Sequence, residues 1–376
     1  MQPHDIFGEL CQKVRFSLDE SGNETDRCSP FLADFVARVR SSGLEVTSAT
    51  VPKLAKVVDR TREALQLEVE PEVFVVNNPE ANAFAPAFAN DRRPIVVLNS
   101  GLVRLLTSNE LVFAIAHELG HLGMRHGRRL LEAEPRSEFE ALQTRSLLRY
   151  AEISADRIAL VASRSVFVAA QVMVKLASGL PSESLGLDVD AFVRQVDRDP
   201  EETSREWELQ VSHPALPFRL WALLRFSHSA EYASAARQVP EGPSIADIDN
   251  EIAERFATLG DGRLSELESH AYQMALVWAG MAMVVDDDVI EQHEREALER
   301  LVGVEHADKA VTFAEAEGQH AVLQKLEEAV DRVNASSLAT RRRLEEAVKT
   351  FAIALDLDAE RTAAGRVVAA ALKLLP

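Results

Sequence analysis

Apolar positions recur at three- and four-residue spacing over most of the chain, the period of amphipathic helices. Phe31–Arg40 and Val51–Leu67 read this way, the second with Leu54, Val57, Val58 and Leu65 on one face. The period changes at Glu72–Val76 and Ile95–Leu98, short β-branched runs that predict strands. Between them, Asn82–Ala89 is apolar but holds Pro86, and so predicts at best an edge strand. Helical spacing returns over Thr107–Leu131 and Ser137–Lys175. Turn residues Gly179, Pro181 and Gly186 precede a helix from about Asp190, and Pro217–Arg237 predicts another. Gln238–Ser244, with two prolines and a glycine, reads as a linker. Beyond it Leu264–Val285, Val289–Val302, Gln319–Val333, Thr340–Leu355 and Ala359–Leu374 all carry the helical period. Residues 1–29 are polar and mixed, with Asp19–Asp26 as a loop. The pattern predicts a helix-dominated α+β fold with a small sheet, followed by an all-α C-terminal domain. The expected divisions are an N-terminal segment 1–48, a mixed domain 49–237, a linker 238–246 and a helical domain 247–376.

The stretch Ala114-Ile115-Ala116-His117-Glu118-Leu119-Gly120-His121-Leu122 adds chemistry to this pattern. Two histidines four residues apart share one helix face and can reach one metal ion, with Glu118 beside them to act on water. The apolar flanks Leu111, Val112, Phe113, Ile115, Leu119 and Leu122 would bury the helix, and buried polar side chains need partners. Thr107 and Glu110 form a capping-box pattern that marks its start. Gly120 and Gly123 are poor helix formers, suited to the close approach of another backbone or a substrate.

A catalytic zinc needs three protein ligands and an open position. Glu152 is the candidate for the third, and Asp156, four residues on, the candidate to accept the outer N–H of a ligand histidine. Alone, this pair reads as a solvated acidic face; with His117 and His121 it reads as ligand and support. Arg219 falls in the first turn of its helix, where the helix dipole disfavours a cation, so a partner is expected. Arg219 or His213 would steady the oxyanion of a tetrahedral intermediate; His213 could instead occupy the open zinc position. The alternatives are a surface salt bridge and a helix-start histidine.

HELGH followed by Glu152-x-x-x-Asp156 resembles the zinc metallopeptidases of the HtpX and CAAX prenyl protease type. Asn82-Ala83-Phe84-Ala85 with Pro94–Leu102 resembles that family's segment before its metal helix. Glu110–His126, including Arg125-His126, resembles the helix itself, and Ser212-His213-Pro214 with Arg219 the late His-Pro…Arg motif. The resemblance covers about residues 50–235. It implies a zincin-like domain holding one Zn²⁺ on His117, His121 and Glu152, with Glu118 as general base. The edge strand at Asn82, Ala83 and Phe84 would pair with an extended peptide substrate; the plainer alternative is a covering loop. Ala282–Val289 and Ala352–Asp358 form a weak repeat, apolar helix then acidic turn, that resembles TerB-like helical domains. The turn glycine is absent from both copies, so the acidic residues read as helix N-caps from Asp287, Asp288 or Asp358.

The net charge of −19 opposes nucleic acid and anionic membrane surfaces as partners. Two cysteines, Cys11 and Cys28, make no disulfide framework and suit a reduced compartment. Met1–Glu20 has no signal-peptide pattern, Met274–Val285 is too short to span a bilayer, and Ile158–Ala177 carries Arg164 and Lys175. The expectation is a soluble cytoplasmic zinc endopeptidase acting on protein or peptide substrates. Its C-terminal domain would inhibit it, target it or bind a protein partner. The alternative from a different class is a latent or inactive zincin scaffold serving as a sensing and protein-binding module.

Overall fold

The computed structural model describes residues 6–16, 30–68, 70–86, 95–126, 138–186, 188–197, 213–258, 266–285, 290–336, 338–359 and 362–372. The chain divides into two compact units. Unit 1 is Met1–Ala133 with Leu147–Ile252; unit 2 is Glu134–Ser146 with Ala253–Pro376.

Unit 1 begins with α1 (Ile6–Val14), α2 (Pro30–Ser42), β1 (Leu44–Glu45) and α3 (Pro52–Leu65). Within the polar and mixed N-terminal segment, Phe7, Cys11 and Val14 recur at helical spacing and are buried. In α3, Pro52 stands in the first turn and Leu54, Val57, Val58, Thr61 and Leu65 form the buried stripe. The strands follow as β2 (Glu72–Val76), β3 (Ala83–Phe84) and β4 (Ile95–Asn99), in sheet order β1-β2-β4-β3. β4 pairs parallel to β2 and antiparallel to β3, and all five of its residues are buried. An unbroken Ile-Val-Val-Leu run is what a strand covered on both faces requires. β3 is an edge strand, as its proline predicts, but only two residues long among the described residues.

β4 runs directly into α4 (Ser100–Leu105) and α5 (Ser108–Gly123). Both halves of the Thr107/Glu110 capping box are formed at the start of α5. Glu110 is buried, and its Oε2 accepts from the Thr107 N–H at 2.6 Å and from Lys175 Nζ at 2.7 Å. The expected continuation of α5 to Leu131 does not occur. The chain turns at Met124–His126, with Arg125 in the left-handed region at φ 61°, and residues 127–131 lie outside the described set.

The single helix expected over Ser137–Lys175 is two, α6 (Glu138–Ser163) and α7 (Val166–Ser178). Arg164 is left-handed at φ 54°, and Ser165 caps α7 by accepting from the Val168 N–H at 3.2 Å. The apolar period runs through this break, which is why periodicity alone misses it. After the short α8 (Val189–Val193), Pro217–Arg237 is likewise split, into α9 (Leu216–Phe226) and α10 (Ala230–Ala235), with Ser229 as the new cap. The Gln238–Ser244 stretch is pinned by the Ala230 N–H donating to Pro243 O at 3.0 Å. α11 (Ile245–Thr258) follows.

The described elements of unit 2 include α12 (Glu266–Val284), α13 (Gln292–Val302), α14 (Val304–Val333), α15 (Leu338–Ala354) and α16 (Ala363–Ala371). α12 is buried nearly all round, through Ala275, Leu276, Ala279 and Met281–Val284, and so is the central helix of one apolar core. Val304–Glu317, not expected as helix, is the first part of α14; Gly318 at φ 78° kinks it before the expected Gln319–Val333. Thr362, not Asp358, caps α16, accepting from the Gly365 N–H. Asp287 and Asp288 lie outside the described residues. No helix among the described residues is long and apolar enough to cross a membrane.

Candidate metal centre

α5 and α6 cross at Gly120. A Cβ there would stand 3.1 Å from Ile158 Cβ and 3.2 Å from Ala155 Cα, so glycine lets the helices approach. Gly123 does the same for α1: an added Cβ would meet Cys11 Sγ and Phe7 at 2.6 Å. Both glycines serve packing between elements. The crossing turns His117 and His121 of α5 toward Glu152 and Asp156 of α6, each pair spaced four residues along its helix.

The two Nε2 atoms of His117 and His121 are 3.0 Å apart. Glu152 places Oε2 3.4 Å from His117 Nε2 and Oε1 3.3 Å from His121 Nε2. The three side chains offer donor atoms all within 4.8 Å of one another, the one such group among the described residues. Donors each about 2.0–2.1 Å from one zinc stand about 3.3 Å apart on a tetrahedron, and the two imidazole nitrogens, each faced by a Glu152 oxygen, are close to that spacing. His117 turns its other nitrogen, Nδ1, to Asp156 Oδ1 at 3.0 Å, and His121 turns its Nδ1 to His126 Nδ1 at 2.8 Å.

Arg219, from the first turn of α9, holds the two carboxylates. Its Nε and Nη2 donate to Asp156 Oδ2 and Oδ1 at 2.8 and 2.7 Å, and Nη1 lies 2.7 Å from Glu152 Oε2. The cation that looked misplaced at a helix start therefore has its partners on α6. His213 Nε2 stands 3.4 Å from Glu152 Oε1 with its side chain 63% exposed, at the open side of the cluster. Glu118 is half-buried, and its charge reaches Arg219. β3 lies against α5; Asn82 O accepts from the Asn99 N–H at 3.0 Å, and Ala83 and Phe84 pair with Leu98 and Val97. Ser212 and Pro94 lie outside the described residues.

Burial opposes charge on His117, Glu152, Asp156 and Arg219, and their mutual pairing overrides it. It lowers the His117 pKa, yet the Glu152 and Asp156 carboxylates push that imidazole up to about 10. It raises the Glu152 pKa, yet Arg219 and His117 hold the carboxyl well below the usual range. Asp156 is lowered against burial by Arg219, and Arg219 is raised against burial by Asp156 and Glu152. The two carboxylates thus draw positive charge toward the His117 imidazole, a demand that a divalent cation meets with His117 as a neutral donor.

Residues 48–144 match the model of peptidase family M48. Over these residues the chain is similar to that family. It is 34% identical over 208 residues to the plastoglobule-localized metallopeptidase 48, chloroplastic, of Arabidopsis thaliana, covering 50% of this chain and 60% of that protein. It is 36% identical over 88 residues to a protease HtpX homolog of Gemmatimonas aurantiaca, 23% of this chain and 31% of that one. A protease HtpX homolog of Leuconostoc citreum is 31% identical over 118 residues, 31% of this chain and 36% of that one. The chain thus spans between 31% and 60% of the length of these relatives. The M48 match ends before Glu152, which the helix crossing brings to the two histidines. Sequence reasoning gave no role to His126, although the Arg125-His126 pair stands inside the resemblance; an i, i+5 spacing carries no signal in a helix that continues.

Proposed function

We propose that this chain is a zinc-dependent endopeptidase in which His117, His121 and Glu152 hold one Zn²⁺ and Glu118 is the general base. The observation that carries the reading is the donor cluster from two separate helices: the His117 and His121 Nε2 atoms stand 3.0 Å apart, and the two Glu152 oxygens face them at 3.4 and 3.3 Å. When bound, the ion supplies Lewis acidity, lowering the pKa of water toward ~7 and polarising the scissile carbonyl. Glu118 follows His117 on the same turn of α5, takes the proton of the attacking water and delivers it to the leaving amine. Asp156 accepts from His117 Nδ1–H and keeps Nε2 free as a donor. Arg219 has its guanidinium committed to Asp156 and Glu152, so it positions these carboxylates. The exposed His213 is the group able to meet the developing oxyanion. The free edge of β3 at Asn82, Ala83 and Phe84 receives an extended peptide. A peptide or protein substrate, a soluble cytoplasmic setting, and control or targeting by the helical C-terminal part complete the proposal. The two cysteines, too few for a disulfide framework, suit that setting.

The test joins zinc content, measured by elemental analysis, to cleavage of a quenched-peptide library by the full chain. Glu118→Gln should keep its zinc and lose turnover by about 10²–10⁴-fold. Full activity in that variant removes Glu118 as the base. Glu152→Ala should lower zinc content; an unchanged stoichiometry makes another residue the third ligand. A zinc-loaded wild type that cleaves nothing favours the sensing or protein-binding scaffold.

A further inference from the structure

His126 stands outside the donor cluster, yet it is only 2% exposed and lies beside His121. In a continuous helix, residues five apart lie about 140° apart around the axis and do not meet. Here the end of α5 brings them together. The His126 N–H donates to His121 O at 3.0 Å and the Arg125 N–H to Leu122 O at 3.1 Å, around left-handed Arg125. This is the paired-bond Schellman ending, in which the residue after the left-handed one folds back on the residue five before it. That contact is ordinarily apolar; here it joins two imidazoles, with ring centroids 4.9 Å apart and planes at 74°.

The turn is tied down from outside the helix. Arg15 Nη2 donates to Met124 O at 3.1 Å, and the next residue donates its N–H to Ser154 Oγ of α6, also at 3.1 Å. One strap therefore links the end of α5 to the helix that carries Glu152. The Nδ1–Nδ1 separation of 2.8 Å requires one proton between two nitrogens. His121 Nε2 faces His117 and Glu152 and must keep its lone pair to bind a metal. Its Nδ1 then carries the proton, and His126 Nδ1 accepts it.

We infer that His126 is a positioning residue for the metal site: held by the Schellman turn at Arg125, it fixes the tautomer and ring orientation of His121, as Asp156 does for His117. The inference rests on the metal-site reading above. Loss of such an outer partner typically weakens metal binding 10–100-fold.

The experiment measures the zinc dissociation constant of the full chain by chelator competition, with the melting temperature of the metal-free protein alongside. His126→Phe should weaken zinc by 10–100-fold. His126→Asn, whose Oδ1 stands as many bonds from Cα as Nδ1 does, should recover most of that loss. Equal affinities in wild type and both variants, or equal loss in both variants at unchanged melting temperature, overturn the inference. Should His126→Phe fail to fold, imidazole ¹⁵N–¹H spectra of the zinc-loaded wild type decide. They should show His126 as the Nε2–H tautomer accepting at Nδ1, and a proton on its Nδ1 overturns the inference. A wild type that binds no zinc would instead remove the metal-site reading itself.

Discussion

The two units solve the problem of charge in opposite ways. Unit 1 buries it: Glu110 with Lys175, Arg157 with Asp249, and Arg219 with Glu152 and Asp156 are all nearly inaccessible. Arg157 is packed further between the rings of Phe16 and Phe226. In unit 2 the ion pairs of α13–α15 lie at the surface, such as Lys325–Glu328 and Lys349–Glu345, and the core is apolar. Among its described residues only Arg343 is a buried charged side chain. Buried charge costs several kcal/mol per ion to desolvate and rarely adds stability over an apolar replacement. Its concentration around α5 and α6 therefore marks a place where shape and charge are required for something other than stability.

The largest difference between the units is expected at Arg219. Arg219→Met leaves Glu152 and Asp156 buried without their cation and should cost unit 1 about 3–5 kcal/mol in chemical denaturation. A neutral result would mean that the carboxylates find compensation elsewhere. In unit 2 the corresponding cost comes from a cavity: Leu326→Ala, at a fully buried position of α14, should lose about 2–5 kcal/mol.

Acid should separate the two units. Glu152 and Asp156 have folded-state pKa values below their ordinary 4.5 and 3.8. In the metal-free protein their pairing therefore stabilises fully above those values and is lost as pH falls through the depressed ones. Stability of unit 1 should drop as pH is lowered below about 4, with the steepest loss absent from Arg219→Met. A parallel drop in that variant would place the acid sensitivity elsewhere. The smallest effect is expected at the surface of unit 2, where Lys325→Ala should leave the melting temperature unchanged within error, since exposed pairs contribute little. A clear loss there would mean that unit 2 also depends on its charges.

The sequence by itself determined what is local. Apolar periods located most helices, and the β-branched runs located β2 and β4 to within a residue. The four-residue spacings placed His117 with His121 and Glu152 with Asp156, because one helical turn carries such residues to one face. What periodicity could not show is where a helix stops while its pattern continues. Arg125 and Arg164 adopt left-handed conformations that cost a residue with a Cβ about 1–2 kcal/mol, and only surrounding contacts make them favourable. The meeting of α5 and α6 over Gly120, the capture of Arg219 by two carboxylates and the folding back of His126 onto His121 were likewise decided by tertiary structure. Each joins groups whose relation no helical or strand period specifies, and each depends on a close approach that only the packed molecule supplies.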